Sequence, residues 1–228
     1  MADHLFTVAN LMLRDRPAEW AAVANFIGVR AEDVLLVRQV HEAKVAVASR
    51  GRETPWTPPE ADVIVTNDPL SAIAVRVADC VPILLAEENG RAVAAVHAGW
   101  RGMATRAVIE GVEALQERYG IRPELVVAAV GPSIGPCCYE VGESTRAAFQ
   151  EAGHHPSILD RWFEPRGNGK FHLDLWRATR DQLEGAGLSP DNIHIAELCT
   201  KTHAGVFHSY RVQGAGAGRM AAVVKMGG

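Results

Sequence analysis

Between Ile73 and Gly102 the chain permits few folds. Ile73, Val75 and Val77 alternate with smaller or polar neighbours, the pattern of a strand, and this run delivers Asp79 and Cys80 at its end. A second apolar run, Pro82 to Ala86, leads into Glu88-Asn89-Gly90, whose Asn-Gly pair closes a hairpin. The return strand ends in His97. Gly99 to Gly102 then opens a helix on which Ala104, Val108, Val112, Leu115 and Tyr119 form one apolar stripe, stopped by Gly120 and Pro123. A thiol and an imidazole are thus carried to the ends of neighbouring strands, where rigid backbone holds a reactive pair.

The flanking segments supply further strands and helices. Phe6-Thr7-Val8 reads as a short strand, and Pro17 starts a helix with Trp20, Val23 and Ile27 on one face, ended by Gly28. Val34 to His41 is an apolar run ending in a polar cluster, which makes His41 a third ligand candidate at a strand end; Val45 to Ala48 reads as its hairpin partner. Arg50 to Glu60 is loop, and Ala61 to Thr66 resumes the strand pattern. Beyond the central helix, Glu124 to Val130 reads as a buried strand entering the Gly/Pro-rich loop from Gly131 to Glu140. A helix follows from about Val141 to Ala152, then an interrupted stretch to Lys170. Asp174 caps a helix bearing Leu175, Leu183 and Ala186. Ile193 to Leu198, Val206 to Arg211 and Arg219 to Met226 read as strands, with Gly214 to Gly218 turning between the last two.

Composition narrows the function classes. At 228 residues the chain buries a substantial core, and one domain is the expectation. With 23 basic against 27 acidic residues and no basic block, nucleic acid is not an expected partner. No run of about 18 apolar residues appears, so no membrane partner is expected, and the first residues lack the pattern of a signal peptide; a cytoplasmic protein is the reading. Cys80, Cys137, Cys138 and Cys199 are too few and too irregular for a disulfide framework, which favours reduced thiols.

His41, Cys80 and His97 carry the chemistry. Two imidazoles and one thiolate suit zinc, and three protein ligands leave a fourth position for water or substrate. Their spacing matches no short ligand signature, so two other readings stay open. One is a cysteine nucleophile activated by histidine, with Asp79 or Gln39 orienting the base. The other is a buried cysteine beside two satisfied histidines. Cys137-Cys138 reads as structural, because adjacent cysteines close a bridge only under strain; His154-His155 reads as surface. Arg101 and Arg211, each beside an aromatic residue, are anion-site candidates, with surface ion pairing as the alternative.

Seven ordered blocks add a resemblance. Gln39-Val40-His41, Ala78 to Ile83, Val96 to Gly102, Gly131 to Val141, Cys199-Thr200, Ser209-Tyr210-Arg211 and Gly218 to Ala222 together resemble the laccase-domain family, first described as polyphenol oxidases and now regarded as zinc-containing purine nucleoside phosphorylases. The resemblance implies an α+β fold, a layered α/β/β/α sandwich with mixed sheets, in a single domain over residues 1–228. It implies one zinc ion per chain on His41, Cys80 and His97, which double as the catalytic residues. It implies phosphorolysis of adenosine, inosine and S-methyl-5'-thioadenosine, with purine nucleoside and phosphate as small-molecule partners, and deamination of adenosine by water activated at the metal. Gln39, Asp79, Arg101 and Arg211 are the expected substrate-binding residues, with phosphate assigned to Arg211 and then Arg101.

Two departures qualify it. Family members begin with Phe-x-Thr-Arg and a Gly-Gly-Val-Ser turn, whereas this chain has Phe6-Thr7-Val8-Ala9-Asn10, leaving Arg14 or Arg38 to replace the arginine. The common Tyr-Arg-Arg-Asp-Gly is here Tyr210-Arg211-Val212-Gln213-Gly214. Competing functions are a cysteine-type amidohydrolase editing peptidoglycan precursors, a copper-dependent polyphenol oxidase and a nucleotide-binding regulator without turnover. Multicopper sites draw on His-x-His pairs, and none of the nine histidines forms one.

Overall fold

The computed structural model describes residues 2–14, 16–49 and 55–227, so the first part of the expected 50–60 loop lies outside the described residues. Strand β1 (Ala2–Phe6) precedes helix α1 (Pro17–Ile27), followed by β2 (Val34–Leu36), β3 (Val45–Ala48), β4 (Val63–Thr66), β5 (Ala72–Val77), β6 (Val81–Glu87) and β7 (Val93–Ala98). Helices α2 (Trp100–Ala104) and α3 (Ala107–Tyr119) lead to β8 (Val126–Val130), β9 (Glu140–Gly142), α4 (Glu143–Glu151) and α5 (Pro156–Trp162). The chain closes through β10 (Phe163–Gly167), β11 (Lys170–Leu173), α6 (Leu175–Gly185), β12 (Ile193–Ile195), α7 (Tyr210–Gln213) and β13 (Met220–Met226).

These elements form the expected α+β layered sandwich. One mixed sheet has the order β1-β13-β5-β2, and a second, also mixed, runs β12-β8-β6-β7-β4-β3; β10, β11 and β9 make a small antiparallel third. Strand β5 is apolar almost throughout because both its faces are buried. Ile73 and Val75 meet Ile64, Leu84 and Ala95 of the six-stranded sheet, while Ala72 and Ala74 meet Val23, Ala24 and Ile27 of α1. Strands β6 and β7 likewise send Val81, Ile83, Leu85, Ala94 and Val96 to the opposite face, against Val108, Val112 and Leu115 of α3. Full burial of each of these Val, Leu and Ile side chains stabilises the fold by about 1.5–3 kcal/mol. Helix α3 approaches the sheet closely at Gly111, where a Cβ would stand 2.6 Å from Val96 Cγ2.

The polypeptide passes from the four-stranded to the six-stranded sheet between β2 and β3, and again between β5 and β6. Val45 to Ala48 is therefore not the hairpin partner of β2; it pairs in parallel with β4, while β2 pairs in parallel with β5. The β6–β7 hairpin forms as its Asn-Gly turn requires, with Gly90 at φ 74°.

Other expectations are corrected. The single helix after Gly99 is two, because Arg106 takes φ 65° and the Thr105 hydroxyl donates to the Arg101 carbonyl, ending α2. Val206 to Arg211 is not a strand. Val206 and Phe207 turn back onto the His203 carbonyl, and the Arg211 N–H donates to a carboxylate instead of a neighbouring strand. Gly214–Gly216 is accordingly a 3-10 turn entering β13, not a link between strands. The interrupted stretch before Lys170 contains α5 and β10. His154 is buried, not surface, with Nε2 2.8 Å from the Ala104 carbonyl and its ring against Phe149 and Trp162.

Candidate metal centre

The two passages between sheets end at one place. His41 lies on the first, Cys80 closes the second, and His97 sits near the end of β7, across from the start of β6. One ligating atom from each lies within 4.8 Å of the others. The imidazole rings meet edge to face with centroids 4.8 Å apart. A soft thiolate with two borderline imidazoles is a donor set that suits a divalent transition ion, and the spacing allows all three to reach a common centre.

Asp62 organises this convergence, and nothing in the sequence reading singled it out. It is fully buried in the apolar segment leading into β4, on the face that His97 shares. His97 Nδ1 donates to Asp62 Oδ1 at 2.7 Å, leaving Nε2 as the ligating nitrogen. The backbone N–H of His41 donates to the same oxygen at 3.0 Å, while those of Val40 and Glu42 donate to Oδ2 at 3.1 and 2.8 Å. One carboxylate thus orients one histidine and holds the turn that bears the other. That turn places His41 at φ 63°, a strained value for a residue with a Cβ. Gly99 adds room: a Cβ there would meet Cys80 Sγ at 2.9 Å and His41 Cδ2 at 3.4 Å.

The electrostatics follow from this packing. Burial alone pushes the Cys80 thiol up, but the His97 charge and hydrogen bonds from His41 and His97 override it and bring the thiol down to about 6. Burial disfavours a charged His97, yet the Cys80 thiolate and the Asp62 carboxylate raise that ring to about 9. Burial likewise opposes ionisation of Asp62, and its hydrogen bonds from His97 and the 41–42 backbone hold it below the ordinary carboxylate value.

The other expected residues surround the cluster in distinct ways. Asp79, at φ 84° and buried, accepts from Thr200 Oγ1 at 2.6 Å and from the Arg211 backbone N–H at 2.7 Å, so it ties three loops together. Gln39 makes two bonds to the Arg76 backbone, at 2.7 and 2.8 Å, and extends the β2–β5 pairing. Arg211 stacks its guanidinium over Tyr139 and donates to the Glu140 carbonyl, while Arg101 lies over Trp100; both are exposed. Arg38 pairs with Glu60 and Arg14 donates to the carbonyls of Ala215 and Ala217. A separate cleft of about 1000 Å³, lined in part by Arg30, Trp56 and Lys225, shares no residue with this site.

Arg219 was overlooked as a functional candidate. Burial pushes its guanidinium down, as do the charges of Arg14 and Arg76, whereas Cys80 acts in the opposite sense. The Arg219 charge therefore acts on Cys80 and feels those of Arg14 and Arg76, and among the described residues no carboxylate forms an ion pair with any of the three. The sequence signal available was Arg219 itself, immediately before a strand that is apolar from Met220 to Val224.

The sequence profile described as multi-copper polyphenol oxidoreductase laccase matches residues 15–227. The chain belongs to this family. Among its relatives, a purine nucleoside phosphorylase of Bacteroides thetaiotaomicron is 38% identical over 160 residues, covering 70% of this chain and 58% of that protein. A purine nucleoside phosphorylase of Deinococcus radiodurans is 38% identical over 206 residues, covering 90% of this chain and 74% of the relative. The adenosine deaminase RL5, from an unknown prokaryotic organism, is 36% identical over 203 residues, covering 86% and 76%. The crystal structure of YlmD from Geobacillus stearothermophilus superposes with a TM-score of 0.86 at 27% identity, over 99% of this chain and 92% of that one. Among the described residues of this laccase-family chain, no helix is long and apolar enough to cross a membrane.

Proposed function

We propose that the chain is a zinc-dependent purine nucleoside phosphorylase acting on adenosine, inosine and S-methyl-5'-thioadenosine, with adenosine deaminase activity. The observation that carries the reading is the convergence of His41, Cys80 and His97 on one point under the control of Asp62. The names of the Deinococcus phosphorylase and the prokaryotic deaminase support the substrate class. When bound, zinc supplies a Lewis acid to the substrate side of the site.

The remaining work falls to the protein's own groups. Asp62 holds the Nδ1 proton of His97, so the opposite nitrogen keeps a lone pair for the ion. Arg219, with Arg14 and Arg76, offers positive charge to phosphate from one side, and Arg211 and Arg101 offer it from the loop side. Tyr139, whose phenol is held neutral by burial and by the Cys80 charge, carries the Arg211 guanidinium over its ring and so positions that cation. Purine nucleoside and phosphate are the partners on this reading.

A second reading has one observation in its favour. Without metal, the lowered Cys80 thiol and raised His97 make a thiolate–imidazolium pair, the resting state of a cysteine-type amidohydrolase. One experiment separates the two. Metal-quantified protein incubated with adenosine, with and without phosphate, gives adenine only with phosphate if it is a phosphorylase, and inosine in both arms if it deaminates. Neither product from fully zinc-loaded protein would overturn the proposal.

A further inference from the structure

A second group of ligating side chains assembles away from His41, Cys80 and His97. Cys137 and Cys138 lie in the tight turn of the 131–139 loop, where Cys138 and Tyr139 N–H groups both donate to the Gly135 carbonyl. Cys199 is brought against them by a parallel bridge to Ser133, with Thr200 N donating to the Ser133 carbonyl at 3.0 Å. The three sulfurs all lie within 4.8 Å of one another, and those of Cys137 and Cys138 are 3.5 Å apart. Three thiolates sharing one tetrahedral zinc at about 2.3 Å sit about 3.8 Å apart, so the arrangement needs only side-chain adjustment to close on an ion.

The backbone around these sulfurs is already fixed. A Cβ on Gly135 would stand 2.6 Å from the Trp176 ring and 3.2 Å from Cys199 Cβ, and Trp176 Nε1 anchors the loop by donating to Ser133 Oγ at 2.8 Å. Gly135 N–H donates to Cys199 Sγ at 3.3 Å, the type of contact that supports a charged sulfur. All three thiols are free, and they grade from buried Cys199 through half-buried Cys138 to exposed Cys137. Solvent therefore reaches one side of the cluster, giving an ion a way in and a water a fourth position.

We propose that Cys137, Cys138 and Cys199 form a second metal site, for a thiophilic d10 cation: Zn2+ completed by water, or Cu+ held by sulfur alone. The ion joins the 131–139 loop to the 198–200 segment. The hydrogen bond from Thr200 to Asp79 then connects it to the loop that carries Cys80.

The test is metal stoichiometry in the full chain, read by elemental analysis after reconstitution of metal-free protein with Zn2+ and, anaerobically, with Cu+. Two ions per chain are expected for the native sequence, one for Cys80→Ser, one for Cys137→Ser/Cys138→Ser and none for the triple variant; the cation retained after dialysis identifies the metal. A single ion per chain that disappears with Cys80→Ser would overturn the proposal. So would fewer than four titratable thiols in protein purified anaerobically without reductant and then denatured in chelator, since a pair of the cysteines would then be bridged. Should the double variant misfold, Co2+ loading of Cys80→Ser provides a second measurement. An intense sulfur-to-cobalt charge-transfer band that is lost in Cys80→Ser/Cys137→Ser supports the site, and the absence from Cys80→Ser of both this band and the ultraviolet thiolate-to-Cu+ absorbance after anaerobic Cu+ loading refutes it. None of these readouts depends on turnover of a nucleoside.

Discussion

Replacing Asp62 with asparagine tests the claim that one carboxylate arranges both histidines. The amide has the carboxylate's shape but presents a donor on one side. If its nitrogen takes the Oδ2 position, it faces the N–H groups of Val40 and Glu42; if it takes the Oδ1 position, it faces His41 N–H and His97 Nδ1. In either orientation two donors lose their acceptor, at no more than about 1–3 kcal/mol each because the backbone bonds are only part-buried, so Asp62→Asn should lose a few kcal/mol of folding stability, at most about 6. Metal affinity should fall about 10–100-fold, as when the outer partner of a ligating histidine is lost. Urea unfolding in a strong chelator measures the first effect, and competition with a chromophoric chelator measures the second. Excess zinc should restore the activity of folded variant, because the lesion is in occupancy. A variant with native zinc affinity and an unchanged urea midpoint would refute the assignment of Asp62 as the organising group.

Gly99→Ala should weaken metal binding while leaving the urea midpoint nearly unchanged, because the new methyl meets the Cys80 sulfur, not the core; chelator competition checks it. In metal-free protein the Cys80 thiolate absorbance should appear as pH rises through about 6 and be absent from Cys80→Ser. The depressed thiol contributes stability that is complete above its unfolded value near 9.0 and lost as pH falls through about 6, while the raised His97 contributes stability complete below 6.5 and lost as pH rises through about 9. The two trends offset, so the urea midpoint of metal-free protein should stay level from 6.5 to 9 even as the thiolate persists. Zinc binding in that range should release about one proton per chain, measured by calorimetry in buffers of different ionisation enthalpy. Arg219→Ala should raise the phosphate KM about tenfold or more, as expected for loss of a charge-assisted contact, and an Arg211→Ala variant with an unaltered phosphate KM would remove that residue from the site.

Much of the centre was legible because strand periodicity fixes where a side chain emerges. The alternation of β5 and the Asn-Gly turn place Cys80 and His97 on opposed strand ends, and the apolar run from Val34 makes His41 a candidate that the seven blocks of family resemblance reinforce. What escaped depends on contacts distant in sequence. Asp62 looks like one polar residue in an apolar run, and only the pairing of β4 with β7 brings it beside His97. Cys199 gave no reason to join Cys137 and Cys138, because the link is a single bridge to Ser133. Val206 to Arg211 misled through its alternation: the groups that satisfy its backbone are the His203 carbonyl and the Asp79 carboxylate, neither of which periodicity reports.

His41 and Cys80 lie on the two strips of chain that lead from the smaller sheet into the larger. An ion gripping both would rivet the layers together, so any drift in the gap between them would change the coordination sphere at once. The interlayer distance thereby becomes a dimension that a bound metal would gauge.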